Sequence, residues 1–350
     1  MEPTADSVSK IVRTLYPATS QSELVELVDT VLSSIFGLGP LEELLLLPNL
    51  TDILVNRFDD VWIDRGNGLE KTVVKFNSEL AAQEFAKRIA MRGHRRLDDA
   101  QPFVDVQTEG GLRFHAILSP IASDGVAISI RTPSRKFLTL EEMLAAGNLT
   151  DDTYQALNYI VDSQKSFVVS GGTGSGKTTL LAAMLARVQA NQRIVLIEDS
   201  AELSIPHPHV LSVQARLANS EGAGGVSMTD LVRQALRMRP DRIVVGEVRG
   251  AEVSDLLLAL NTGHKGSATT IHADHAASVP TRIEALGLLA GLPREAIHAQ
   301  MYSAFDMVIQ MKTARDGMRG VAEFAKFARM SDGTVVTQPL DGLKTFNLAA

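Results

Sequence analysis

The chain has 350 residues, 45% apolar and 21% charged, with 34 basic against 41 acidic side chains and a formal net charge of −7. That length leads us to expect about two domains, each with its own core. The acidic balance argues against a protein that coats nucleic acid, although a local basic groove could sit within it.

The chain has no cysteine, which excludes disulfides and thiolate zinc sites and suits a reducing compartment. The polar N-terminus, MEPTADSVSKIVRTLYP, has no secretory h-region. The most apolar local runs, 44–47 and 256–260, fall far short of a membrane span. A cytoplasmic protein is expected, one that reaches the membrane only through a partner.

Residues 7–36 carry apolar side chains at helical spacing and stop at Gly37-Leu38-Gly39-Pro40. A short helix is expected over 41–47. The period then switches to two, giving strands at 52–56 and 60–64 with a turn over 65–68. An amphipathic helix over 79–92 precedes strands at 103–108, 112–118 and 126–131. These residues make an α+β domain. Thr132-Pro133-Ser134-Arg135-Lys136 reads as a linker.

From residue 140 helices (140–146, 151–163) lead to a buried-type strand over 166–170. Further apolar strands are expected at 193–198, 242–246 and 267–271, with helices between them. Alternating strand and helix implies a parallel sheet covered on both faces. Residues 219–226 (NSEGAGGV) read as a glycine-rich surface loop.

Between the strand ending at Ser170 and a helix expected over 180–189 lies Gly171-Gly172-Thr173-Gly174-Ser175-Gly176-Lys177-Thr178-Thr179, a G-x-x-x-x-G-K-[ST] match. Glycines let successive backbone N–H groups converge on a phosphate, and the helix dipole adds positive potential. Lys177 would reach the β- and γ-phosphates and the Thr178 hydroxyl would hold Mg²⁺, so the chain is expected to bind ATP.

Acids end two later strands: Glu198 and Asp199, with Glu202 following, and Glu247, followed by Val248-Arg249-Gly250. In a parallel sheet both groups fall beside the P-loop, where one carboxylate could hold Mg²⁺ and another activate water. Solvated turn acids would look the same. His272 ends another strand, where it could sense a γ-phosphate or serve as a structural hydrogen-bonder. His207-x-His209 and His272-x-x-His275 are at most half of a metal site.

Glu198-Asp199-x-x-Glu202, Arg239-Pro240-Asp241, Gly246-Glu247-Val248-Arg249-Gly250 and Gly263-His264-x-Gly266-Ser267 through Thr270-x-His272-Ala273 follow the P-loop in order. They resemble the Asp box, Walker B segment and His box of the type II/IV secretion ATPase superfamily. Leu54-Val55-Asn56, Val61 through Gly66, Arg96-Leu97-Asp98 and Ala127 through Arg131 are most similar to the CpaF/TadA tight-adherence (Flp) pilus assembly ATPases. The resemblance covers about residues 35–330 and lacks the four-cysteine insert of many type II enzymes.

It implies an α/β fold: a RecA-like P-loop NTPase domain (141–350) preceded by a smaller α+β domain (37–131), an N-terminal helical extension (1–36) and a linker (132–140). By the same resemblance Glu247 is the Walker B acid that holds Mg²⁺ with Thr178. Glu202 is the first choice for the catalytic base and Glu198 the second. His272 senses the γ-phosphate and Arg249 links Walker B to a subunit interface. Arg131 and Arg113, with Arg237 and Arg239 behind them, are candidates for neutralising transition-state charge. The resemblance further implies a homo-hexamer at the inner face of the cytoplasmic membrane, working on a platform protein to assemble a pilus. The alternatives are a VirB11-like conjugative motor that moves DNA or protein, and a scaffold that binds nucleotide without hydrolysing it.

Overall fold

A computed structural model describes residues 4–340 apart from 67, 109–110, 133–136, 217 and 219–221. Part of the expected linker and part of the expected glycine-rich loop lie outside the described residues. The chain divides into two compact units, Met1–Ser134 and Arg135–Ala350.

The N-terminal unit begins with α1 (Ala5–Leu15) and α2 (Gln21–Phe36). The sequence period runs through both, but Pro17 falls in the turn between them and Ser20 opens a new capping box with Glu23. The two helices share a small core of Val8, Val12, Leu24 and Val28. The short helix expected over 41–47 is a 3-10 turn, Gly39–Leu46, with Pro40 in its first turn.

Strands β1 (Asp52–Arg57), β2 (Asp60–Asp64) and β3 (Leu69–Lys71), helix α3 (Glu79–Arg92), and strands β4 (Phe103–Gln107), β5 (Arg113–Ile117) and β6 (Ala127–Arg131) follow. The six strands form one antiparallel sheet in the order β3-β2-β1-β6-β5-β4. Alternate residues such as Ile53, Val61, Phe114 and Ile128 join Phe85 and Ile89 of α3 in one core, while intervening ones face away.

The C-terminal unit comprises α4 (Leu140–Ala145), α5 (Asp151–Asp162), β7 (Phe167–Gly171), α6 (Lys177–Ala186), β8 (Ile194–Glu198), β9 (Val210–Gln214) and α7 (Met228–Ala235). After these come β10 (Arg242–Val245), α8 (Glu252–Leu260), β11 (Ala268–His272), α9 (Val279–Leu289), α10 (Arg294–Ala304), β12 (Met307–Thr313), β13 (Arg319–Arg329) and β14 (Val335–Pro339). The eight strands run β14-β13-β12-β7-β11-β10-β8-β9. β12 through β9 in that order are parallel, and β13 and β14 add an antiparallel hairpin end. Phe167 and Val169 pack with α4–α6, whereas Val168 packs with α7–α10, so the buried strands feed a core on each face.

β9 and β12–β14 go beyond the strands expected from the sequence. Asp316-Gly317 and Asp332-Gly333 sit in the two hairpin turns and are the signal that marks them.

The N-terminal ends of these strands are tied by a buried cation. Arg242, 2% exposed, donates from Nε to Gln192 Oε1 (2.8 Å), from Nη2 to Val161 O (3.0 Å) and from Nη1 to Gly266 O (3.3 Å). Burial pulls its pKa down to about 10, against the upward pull of Asp162 and Asp241, so it stays charged at neutral pH. Gly266 has φ +73°, and a Cβ there would come within 2.8 Å of Arg242 Nη1. Ser267 Oγ donates to His264 O (2.8 Å) and accepts from Ile243 N (2.9 Å). The Gly263–Ser267 half of the His box is therefore a brace at the end of the sheet opposite His272. Arg242→Met removes three hydrogen bonds and is expected to cost about 2–3 kcal/mol; an unchanged urea midpoint would contradict this.

Candidate active site

The P-loop leaves β7 at Gly171 and enters α6 at Lys177. A Cβ at Gly171 would meet Ser175 Oγ at 2.5 Å and Met311 O at 2.7 Å, so only glycine fits that first turn. Gly176 caps α6 at φ +91°, a left-handed position. Around Gly172 and Gly174 a Cβ would find nothing within 4 Å, leaving an open cradle over the helix N-terminus. Thr173 is exposed, and Thr178 and Thr179 are half-buried on the first turn of α6.

Lys177 is 6% exposed. Its Nζ donates to Gly172 O (2.9 Å) and Gly171 O (3.1 Å) and stands 3.4 Å from His272 Nδ1. Burial lowers its pKa; Glu247 and Glu202 pull it up and Arg249 pulls it down. An ammonium can only donate, so His272 Nδ1 is the acceptor and the ring proton sits on Nε2. That Nε2 lies 2.7 Å from Glu247 Oε1, at ion-pair distance but outside hydrogen-bond alignment, so this buried oxygen has no hydrogen-bond donor. Glu247 Oε2 accepts from Arg249 Nε at 2.7 Å and from Arg249 Nη2. Burial pulls the Arg249 guanidinium down, but Glu247, Glu202 and Asp199 leave it above its ordinary value.

Glu198, at the end of β8 and 5% exposed, accepts from the backbone N–H groups of Glu202 and Leu203, both at 3.0 Å. Both lone-pair contacts orient the loop carrying Glu202, whose exposed side chain is within electrostatic range of Lys177 and Arg249. The strand order β7-β11-β10-β8 thus gathers Lys177, His272, Glu247, Arg249, Glu198 and Glu202 at one sheet edge. Arg113 and Arg131 belong to the N-terminal unit, where they face each other across β5 and β6, and Arg131 Nε donates to Asp52 Oδ1 at 3.1 Å. Arg237 donates to Arg233 O (3.3 Å), and Arg239 holds a positive φ of 51°.

The open glycine cradle, the Thr178 hydroxyl and the donorless Glu247 oxygen suit a triphosphate with a hydrated divalent cation. Among the described residues no cluster of three His, Asp or Glu forms a protein-only metal site. His207 and His209 instead make local contacts, to Gln189 O at 3.2 Å and to Arg193 Nη1 at 2.9 Å.

Three supports escaped the sequence reading. Glu252 accepts from Arg249 N (2.7 Å) and Gly250 N (2.8 Å), and an acid in the first turn of α8 was its signal. Thr270 Oγ1 donates to Gly246 O at 2.7 Å. Gln310, an amide inside the apolar strand β12, accepts from Ser170 Oγ at 2.5 Å.

Burial, reinforced by Lys177, Arg249 and Arg282, holds the His272 pKa below its ordinary 6.5 despite Glu247. The unfolded imidazole therefore takes up a proton first as pH falls. The stability this contributes is full above the ordinary value and is lost as pH drops through the folded one. Relative to His272→Gln, the wild type is expected to lose stability as pH falls below about 7. Urea midpoints of the two proteins that fall in parallel over that range would contradict this.

Residues 36–328 match the family described as type II/IV secretion system protein. A relative in Mycobacterium tuberculosis H37Rv, Rv3659c, whose name assigns it provisionally to conjugal transfer, is 48% identical over 305 residues, 85% of this chain and 86% of its own. The conjugal transfer protein TrbB of Rhizobium radiobacter is 31% identical over 275 residues, 77% of this chain and 81% of its own. The crystal structure of the Legionella pneumophila ATPase DotB shares the fold, with a TM-score of 0.56 at 23% identity over 79% of this chain and 77% of that one. No helix among the described residues is long and apolar enough to cross a membrane. The chain belongs to the type II/IV secretion system protein family, the ATPase superfamily whose boxes its sequence carries.

Proposed function

We propose that this protein is an ATP-hydrolysing motor, acting as a ring of six copies, whose domain motion drives assembly of a tight-adherence pilus through a membrane platform protein. The observation that carries the hydrolytic part is the cluster of Lys177, His272, Glu247 and Arg249 beside the glycine cradle, with one Glu247 oxygen held by Arg249 and the other without a hydrogen-bond donor. A nucleotide-binding scaffold has no use for a half-buried carboxylate beside an imidazole there.

In this reading the backbone N–H groups of 172–178 and the Lys177 ammonium bind the phosphates. Thr178 and Glu247 hold Mg²⁺, which when bound neutralises charge on the phosphate oxygens. Glu202 orients and deprotonates water, on a loop that Glu198 holds by its backbone. Neutral His272 donates or accepts according to what Lys177 is bound to, which makes it the sensor of the γ-phosphate. Arg113 and Arg131 remain the candidates for neutralising transition-state charge. The matches at 54–56, 61–66 and 127–131 to the CpaF/TadA group support the pilus.

A second reading, conjugal transfer of DNA or protein, is favoured by the names of the two relatives. Lys177→Ala, Glu247→Gln and Glu202→Gln are each expected to lower ATP turnover by about 100-fold or more. Wild-type turnover in Glu247→Gln would revive the scaffold. In cells, a deletion complemented with Lys177→Ala is expected to lose surface pili and keep DNA transfer. The opposite pattern would establish the second reading.

A further inference from the structure

Gln310 lies within the apolar run Val308-Ile309-Gln310-Met311 of β12 and is 1% exposed. An amide withdrawn from water needs partners for both its ends, and Gln310 has them. Its Oε1 accepts from Ser170 Oγ at 2.5 Å. Its Nε2 faces the carbonyls of Ala273 (3.2 Å), Asp274 (3.2 Å) and Met311 (3.3 Å). Ser170 is the last residue before Gly171, where the P-loop begins. Ala273 and Asp274 are the first two residues after His272.

The topology explains how one side chain reaches both. β12 and β11 flank β7 on opposite sides, with Gln310 level with Ser170, and Ser170 level with Ile271. The chain leaving β11 therefore crosses over β7 to bring its carbonyls onto Gln310. Val308 and Ile271, on the same face, belong to an apolar cluster, and nothing in packing alone calls for an amide there.

We propose that Gln310 is a positioning residue: it pins the 273–274 segment over the end of β7 and so holds His272 Nδ1 on the Lys177 ammonium. It couples the strand that launches the P-loop to the loop that hangs from the sensor histidine. This rests on the hydrolytic reading above.

The test is a set of double-mutant cycles in ATP turnover on the full chain: Gln310→Met and Ser170→Ala, each with and without His272→Ala, beside wild type and Lys177→Ala. An ångström of misplacement arising away from the chemistry can cost about 100-fold, so Gln310→Met is expected to lower kcat by roughly 10- to 100-fold. KM for ATP should stay within about threefold, since the phosphate cradle keeps its own hydrogen bonds. In the His272→Ala background Gln310→Met should cost nothing further, because its effect passes through His272. Ser170→Ala should show the same pattern more weakly, and it decides the question by the same criteria if Gln310→Met does not fold.

Full kcat in Gln310→Met, or losses that multiply with His272→Ala, would overturn the proposal, as would a raised KM with kcat kept. A wild type no faster than Lys177→Ala would instead overturn the hydrolytic reading, and the brace with it. An active wild type beside an unimpaired Gln310→Met overturns the brace alone.

Discussion

Lys177 holds its ammonium out of water at the first turn of a helix, against the positive end of that helix's dipole. Both conditions oppose a cation, and the surroundings answer them with two loop carbonyls, a neutral imidazole and the nearby Glu247. Much of the rest follows from that arrangement. His272 has to stay unprotonated to accept, and its burial and cationic neighbours keep it so. Arg249 secures one Glu247 oxygen, and the other has no hydrogen-bond donor. A phosphate entering the cradle would replace two carbonyl dipoles with full negative charge, which is the differential interaction a switch needs.

The eight-stranded sheet divides its labour between its two ends. At the N-terminal ends Arg242 and the 263–267 segment hold strand starts to helix ends with buried hydrogen bonds. At the C-terminal ends the loops after β7, β8, β10 and β11 carry the polar groups, and the last three are steadied by neighbours: Glu198 for 202–203, Glu252 for 249–250 and Thr270 for Gly246, Gln310 for 273–274.

Much of this was legible in the sequence because periodicity and punctuation agreed. The helix over 79–92 and the nine strands expected from the sequence fall within a residue or two of where alternation and glycine turns put them. The chemistry-bearing residues were legible because strand–loop–strand order alone brings Gly171, Glu198, Glu247 and His272 to one edge. Other features were not. The two halves of the His box read as a single motif, and only the length of β11 separates a structural His264 from His272 beside Lys177. The β12–β14 end is a meander joined by Asp-Gly turns, beyond the last strand expected at 267–271. Gln310 and Thr270 act through contacts with residues far along the chain, which no local pattern encodes.

The most direct measurement is an experimental structure of the full chain with Mg²⁺ and a non-hydrolysable ATP analogue. The Lys177 ammonium should leave the carbonyls of Gly171 and Gly172 for the β- and γ-phosphate oxygens, with Glu247 turned to the metal's water shell and His272 facing the γ-phosphate. An analogue seated elsewhere, or Lys177 still on its own loop carbonyls with the nucleotide bound, would contradict the assignment of this edge as the hydrolytic site.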